Sequence, residues 1–150
     1  MLKEGARAPA FKLPSDSGDA IALKDLAGRR VILYFYPKDD TSGCTLEAKN
    51  FRDEIAAFKK KKAVILGVSR DPVASHVKFK AKYELNFPLL SDEDGAVCEK
   101  YGVWVEKSMY GRKYMGIERT TFLIDEEGRI AKIFPKVKVD GHCAELLEAL

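Results

Sequence analysis

The chain has 150 residues, 46% of them hydrophobic, and a formal net charge of +3 from 26 basic and 23 acidic residues. That length holds one well-packed core and leaves no room for a second of comparable size, so a single domain spanning residues 1–150 is expected. The dispersed, nearly balanced charge gives no footprint for nucleic acid, and no apolar run approaches membrane-spanning length.

Met1-Leu2-Lys3-Glu4-Gly5 lacks the charged-then-apolar pattern of a signal sequence, which predicts a cytoplasmic protein. The three cysteines lie at irregular, distant positions, as reduced thiols in that compartment would, and do not form a secreted disulfide framework. The two histidines stand nowhere near metal-ligand spacing, so neither a metal nor a cofactor is expected.

Val31 to Tyr36 is a continuous apolar and aromatic run, as in a strand buried on both faces at the centre of a sheet. A helical pattern starts at Thr45, with Leu46, Phe51, Ile55 and Phe58 near helical spacing. It runs out in the basic cluster Lys59 to Lys62, which suits a helix end in solvent better than a nucleic-acid patch. Ala63 to Val68 reads as a second buried strand. Asp71-Pro72 caps a helix whose face is carried by Val73, Val77 and Ala81 and which extends to Tyr83. Phe87 to Leu90 is a short strand, Asp94 to Tyr101 a short helix, and the polar stretch Val105 to Gly116 the longest loop. Thr120 to Ile124 and Ile130 to Phe134 form a hairpin about Glu126-Glu127-Gly128. Gly141 opens a terminal helix with Cys143, Leu146, Leu147 and Leu150 as its apolar stripe. This order predicts an α/β, thioredoxin-like fold: a central mixed β-sheet with helices on both faces.

Cys44 sits at the strand-to-helix corner, after Pro37-Lys38-Asp39-Asp40-Thr41-Ser42-Gly43. The unpaired amides and macrodipole of a first helical turn favour thiolate over thiol there, which makes such a cysteine nucleophilic. Thr41 offers a hydroxyl to the sulfur or to an approaching oxygen, and Gly43 permits a tight turn and close approach of a ligand. A small, oxygen-rich electrophile suits such a site, whereas an inert packed cysteine gives no reason for these neighbours.

The order Pro37-x-x-x-Thr41-x-x-Cys44 resembles the peroxidatic motif of peroxiredoxins, and Tyr34 to Thr45 as a whole resembles their bacterioferritin comigratory protein (PrxQ) branch. Pro88-Leu89-Leu90-Ser91-Asp92, Tyr101-Gly102-Val103-Trp104 and Arg119 to Asp125 are similar to later landmarks of that branch, in the same order over nearly the whole chain. The resemblance implies a thiol-dependent peroxidase that reduces hydrogen peroxide and organic hydroperoxides through a sulfenic acid on Cys44. Thioredoxin or another thiol serves as the reductant, and the protein is a monomer. It implies Cys44 as nucleophile, Thr41 as the positioning hydroxyl, the amides of Gly43 and Cys44 as holders of the peroxide, Pro37 as the wall of the loop, and Arg119 as the cation beside the sulfur.

Glu47, one turn beyond Cys44, has two readings: a member of a polar network at the site, or a solvated carboxylate near a positive helix end. Trp104 and Phe87 are candidates for the mouth of the site, with the core as the commoner place for aromatics. Many relatives carry a resolving cysteine five residues after the peroxidatic one, where this chain has Lys49, and none lies in Ser75 to Lys82, the alternative position. Ser42 replaces a common proline. Cys98 and Cys143 remain as resolving thiols or as packed side chains, and a one-cysteine cycle with an outside thiol is the expectation. A Cys-x-x-Cys oxidoreductase is excluded by Thr45-Leu46-Glu47. A non-catalytic peroxide sensor or redox-regulated chaperone stays open as the alternative.

Overall fold

The computed structural model describes residues 2–150 and centres on a five-stranded mixed sheet. Its strands are β3 (Arg30–Phe35), β4 (Ala63–Ser69), β5 (Leu89–Ser91), β8 (Thr120–Ile124) and β9 (Ile130–Phe134), in the order β5-β4-β3-β8-β9. β3 pairs in parallel with β4 and antiparallel with β8, and β8–β9 is the expected antiparallel hairpin. The apolar run of β3 is buried on both sides because the pleat sends Val31, Leu33 and Phe35 to one face and Ile32 and Tyr34 to the other. Tyr34 lies directly opposite Gly67 on β4, where a Cβ would stand 2.9 Å from the phenol oxygen; only glycine lets that ring lie flat on the sheet.

One face carries the helices α1 (Ser42–Asp53), α2 (Ile55–Lys60), α3 (Val73–Tyr83) and α5 (His142–Ala149), through Ala48, Phe51, Phe58, Phe79 and Leu146. The other face is covered by α4 (Ala96–Lys100) and the N-terminal segment, through Val97, Tyr101, Phe11 and Leu13. The small hairpin of β1 (Lys12–Pro14) and β2 (Ala20–Ala22), which the sequence pattern does not announce, belongs to this second face. No helix of the described residues is long and apolar enough to cross a membrane.

Four details differ from the sequence reading. The helix after the corner begins at Ser42, not Thr45, and is interrupted at Glu54, whose φ/ψ of −99°/8° leaves the helical region. Leu46 is consequently half exposed, not on the buried face. On α3 the buried side chains are His76 and Phe79, while Val77 and Ala81 face outward; two faces were available, and the hydrogen bonds of His76 select the one with the polar residue. The stretch Val105 to Gly116 is no loop but a two-stranded ribbon, β6 (Trp104–Met109) with β7 (Arg112–Ile117), turned by Tyr110 and Gly111 at φ of 51° and 79°.

Candidate active site

The parallel strands β3, β4 and β5 end at the same edge of the sheet, where open α/β sheets commonly carry their sites. The segment Pro37 to Thr41 crosses that edge and feeds α1. The first bond closing α1 runs from the Thr45 amide to the Thr41 carbonyl at 2.8 Å, so the amides of Ser42, Gly43 and Cys44 precede the helix's own ladder. Cys44 lies in that first turn and is only 2% exposed.

Arg119, just before β8, reaches across to it. Its Nη2 donates to the Cys44 sulfur at 3.4 Å and its Nη1 donates to Glu47 Oε1 at 2.6 Å, so one planar fork holds a thiol and a carboxylate one helical turn apart. Burial works against the charged guanidinium, but Glu47 and Cys44 overcome it and leave its pKa raised. Glu47 itself is buried, and its second oxygen has no hydrogen-bond partner among the described residues. That burial outweighs the attraction of Arg119 and pushes the carboxyl up to about 7. Of the two readings of Glu47, the polar network is the one found.

The guanidinium passes close to Gly43: a Cβ built there would stand 3.2 Å from Arg119 Nη2. Thr41 is exposed, and its hydroxyl donates to the Lys38 carbonyl at 2.9 Å rather than to the sulfur; its lone pairs stay open to a donor from outside. Pro37 is also exposed. It forms one wall of a cleft of about 390 Å³ whose other walls include Trp104, Lys107, Tyr114 and Ile117. The β6–β7 ribbon thus flanks the loop, with Lys107 in the field of Arg119 and Cys44; Trp104 lines the cleft beside Pro37, stacked under Arg70 at 4.4 Å, whereas Phe87 belongs to the core.

The remaining cysteines make none of this constellation's hydrogen bonds. Cys98 is fully buried in the core on the opposite face of the sheet. Cys143 lies on the same face as Cys44, partly buried on α5, with its thiol pushed up to about 12 by burial and by the carboxylates of Glu54, Glu47 and Asp53. All three cysteines are free. A polar cluster that sequence spacing gave no means of finding lies on the other side of the loop, where Asp39 accepts from Tyr36, Ser75 and His76. Its members come from the residue that follows β3, the loop and α3, and only the fold brings them together.

A thioredoxin-like sandwich carrying Pro37, Thr41 and Cys44 at the end of its central strand, with an arginine against the sulfur, has the site of a peroxiredoxin. The AhpC/TSA family pattern matches residues 5–133, and the chain belongs to that family. It is 58% identical to the putative peroxiredoxin bcp of Coxiella burnetii over 149 residues, covering 99% of each protein. Peroxiredoxin Bcp of Bacillus subtilis is 49% identical over 149 residues, 99% of this chain and 95% of that one. The structure of the Xanthomonas campestris bacterioferritin comigratory protein, described for its alkyl peroxide reduction activity, superposes with a TM-score of 0.91 at 43% identity, over 98% of this chain and 96% of that one. The chain is therefore a thiol-dependent peroxidase of the Bcp/PrxQ branch, acting on a peroxide and drawing on a thiol reductant.

Proposed function

We propose that Cys44 is the peroxidatic nucleophile, that Arg119, Thr41 and Gly43 serve it directly, and that the cycle uses one cysteine of this chain. The sulfur attacks the distal oxygen of the peroxide, the S–O bond forms as the O–O bond breaks, and the leaving oxygen departs as hydroxide or alkoxide and takes up a proton. Donors aimed at that leaving charge lower the barrier. The free amides of Gly43 and Cys44 and the Arg119 guanidinium are the donors for it, while the Thr41 hydroxyl, which donates to Lys38, offers its lone pairs to the O–H of the peroxide. Pro37 walls the approach from the cleft side.

The product is Cys44 sulfenic acid. An outside thiol condenses with it, releasing water and leaving a mixed disulfide, which a second thiol cleaves to restore Cys44. Thioredoxin or a small thiol fits that role. The placement of Cys98 behind the sheet and the raised pKa of Cys143, which keeps that thiol protonated and a weak nucleophile, support resolution from outside. The substrate class is hydrogen peroxide together with organic hydroperoxides; alkyl peroxide reduction is described for the Xanthomonas relative. One domain spanning residues 1–150, acting as a cytoplasmic monomer without nucleic acid, membrane or cofactor, completes the proposal.

The observation that carries this reading is the double contact of Arg119, to the Cys44 sulfur and to Glu47. No observation favours a sensor or chaperone. Steady peroxide consumption by wild type and by each single Cys→Ser variant, with thioredoxin, glutaredoxin or a small thiol as reductant, tests it. Turnover that depends on Cys44 alone supports the cycle, and a protein that reacts once and stops contradicts it.

A further inference from the structure

His76 is fully buried on α3, yet both of its ring nitrogens face acceptors. Nδ1 lies 2.7 Å from Asp39 Oδ2 and Nε2 lies 2.9 Å from the Leu90 carbonyl oxygen. A carbonyl oxygen only accepts, and an ionised carboxylate only accepts, so neither neutral tautomer satisfies both contacts. With Nε2 protonated alone, the Nδ1 lone pair confronts Asp39; with Nδ1 protonated alone, the Nε2 lone pair confronts Leu90. The imidazolium satisfies both.

The same carboxylate is the pivot of the peroxidatic loop. Asp39 accepts from the Tyr36 hydroxyl at 2.6 Å and from Ser75 Oγ at 2.7 Å, and its own amide donates to Asp71 Oδ2 at 2.9 Å. Asp71 is tied in turn to β4 by the Ser69 hydroxyl at 2.7 Å and to β5 by the Ser91 hydroxyl on its carbonyl at 2.6 Å. The next loop residue, Asp40, adopts a left-handed φ of 56° and is gripped by Lys82 and Tyr83 of α3. The segment that sets the first turn of α1 is thus bolted to α3 through adjacent carboxylates, with His76 as the buried half of the bolt.

We infer that His76 is a positioning residue for Cys44: as a buried imidazolium it fixes Asp39 and so holds Pro37 to Cys44 in the geometry that receives peroxide, and loss of its proton loosens that loop. The groups that bear on its charge are Asp39 from the loop, Tyr36 just after β3 and Asp71 from the β4–α3 connection, with the uncharged Ser75 and the Leu90 carbonyl beside them. Burial disfavours the cation, but the Asp39 hydrogen bond and charge, the Leu90 carbonyl and Asp71 outweigh it and raise its pKa. His142, the other histidine, is the internal contrast. Its Nδ1 faces Glu145 and its Nε2 faces the Thr121 hydroxyl, which can donate as well as accept, so a neutral ring satisfies both, and burial lowers its pKa.

This inference rests on the Cys44 reading, so its test has an arm that needs no reaction. With only two histidines in the chain, ring ¹⁵N spectra of the reduced protein report the protonation of His76 directly. Alongside, the rate of Cys44 oxidation by hydrogen peroxide is measured from about pH 6 to about pH 9.5, a range spanning a raised histidine. Each rate is divided by that of iodoacetamide alkylation, which follows the sulfur's ionisation but not peroxide alignment.

At neutral pH His76 is expected to carry both protons, and the rate ratio should fall about tenfold or more as the ring deprotonates, the scale of a misplaced reacting group. Asp39→Asn removes the charge that holds the proton and moves both midpoints down together by about one pH unit or more. His76→Gln gives a low ratio at every pH. A His76 that is neutral at pH 7, a ratio that passes through its titration unchanged, or midpoints that part company in Asp39→Asn overturns the inference. A wild-type chain whose His76 titrates as described but whose Cys44 reacts with no peroxide at any pH overturns the Cys44 reading instead, and the inference with it.

Discussion

Arg119 and Glu47 form a buried ion pair, Nη1 to Oε1 at 2.6 Å, and it is this pair that aims the other arm of the guanidinium at Cys44. An arginine on the edge of a strand has many rotamers. Anchoring one nitrogen to a carboxylate on the same helix as the cysteine leaves the second nitrogen a single place to point.

Replacing Arg119 should therefore cost more than one contact. Arg119→Ala removes a donor from the sulfur and the leaving oxygen, a loss of about 10²–10³ in the rate of Cys44 oxidation. It also removes the cation that favours ionised Glu47, so the buried carboxyl holds its proton and loses its donor at Oε1, a cost of about 1–3 kcal/mol. Arg119→Lys keeps the charge but, with one ammonium in place of a fork, cannot hold both partners. Stopped-flow oxidation and urea unfolding of both variants separate the two effects.

Glu47 gives stability a pH dependence of known sign. Its folded pKa, about 7, lies above its ordinary value of 4.5, so the folded state holds the proton longer than the unfolded chain does. Its contribution is intact below about pH 4.5 and is lost as pH rises through about 7, on the order of 3 kcal/mol in all. Glu47→Gln should flatten that slope. Urea midpoints of wild type and variant at several pH values check it, and identical slopes contradict it.

Gly43→Ala separates geometry from stability. Alanine suits a helical position better than glycine by about 1 kcal/mol. Its methyl would nevertheless meet Arg119 Nη2 at 3.2 Å and push the guanidinium aside. The expected variant unfolds no earlier in urea but oxidises about tenfold more slowly, as a displaced reacting group does.

The other two cysteines should be dispensable. Cys98 is packed behind the sheet and Cys143 is held protonated by burial, with its pKa at about 12. Cys98→Ser and Cys143→Ser each bury a hydroxyl where a thiol packed, so some loss of stability is expected, about 1–3 kcal/mol. Turnover per folded molecule with an external thiol should match wild type. A variant that stalls after one equivalent of peroxide identifies its cysteine as the resolving one.

The central strand, the cysteine at its corner and the β8–β9 hairpin are legible in the sequence because each is a local signal: a buried apolar run, a loop motif, a turn. The β6–β7 ribbon is not. Glu106, Lys107, Ser108, Arg112 and Lys113 lie on a two-stranded surface sheet with no apolar alternation to betray it, and the only cue was the glycine of its turn. Helix α3 misleads in the opposite direction, since Val77 and Ala81 mark one face while the buried one carries a histidine. Sequence cannot say that His76 will find Asp39, 37 residues away, or that Glu47 will be paired from 72 residues away. Arg119 was legible only through resemblance; as one arginine among several it has no local signature.

The most direct test of the account is mass spectrometry of the reduced protein after one equivalent of hydrogen peroxide, first with a sulfenic-acid trapping reagent and then without it. The account predicts a single trapped adduct on Cys44, Cys98 and Cys143 unmodified, and no disulfide until an outside thiol is added. A Cys44–Cys98 or Cys44–Cys143 disulfide as the main product, or a first oxidation at any other residue, would contradict it.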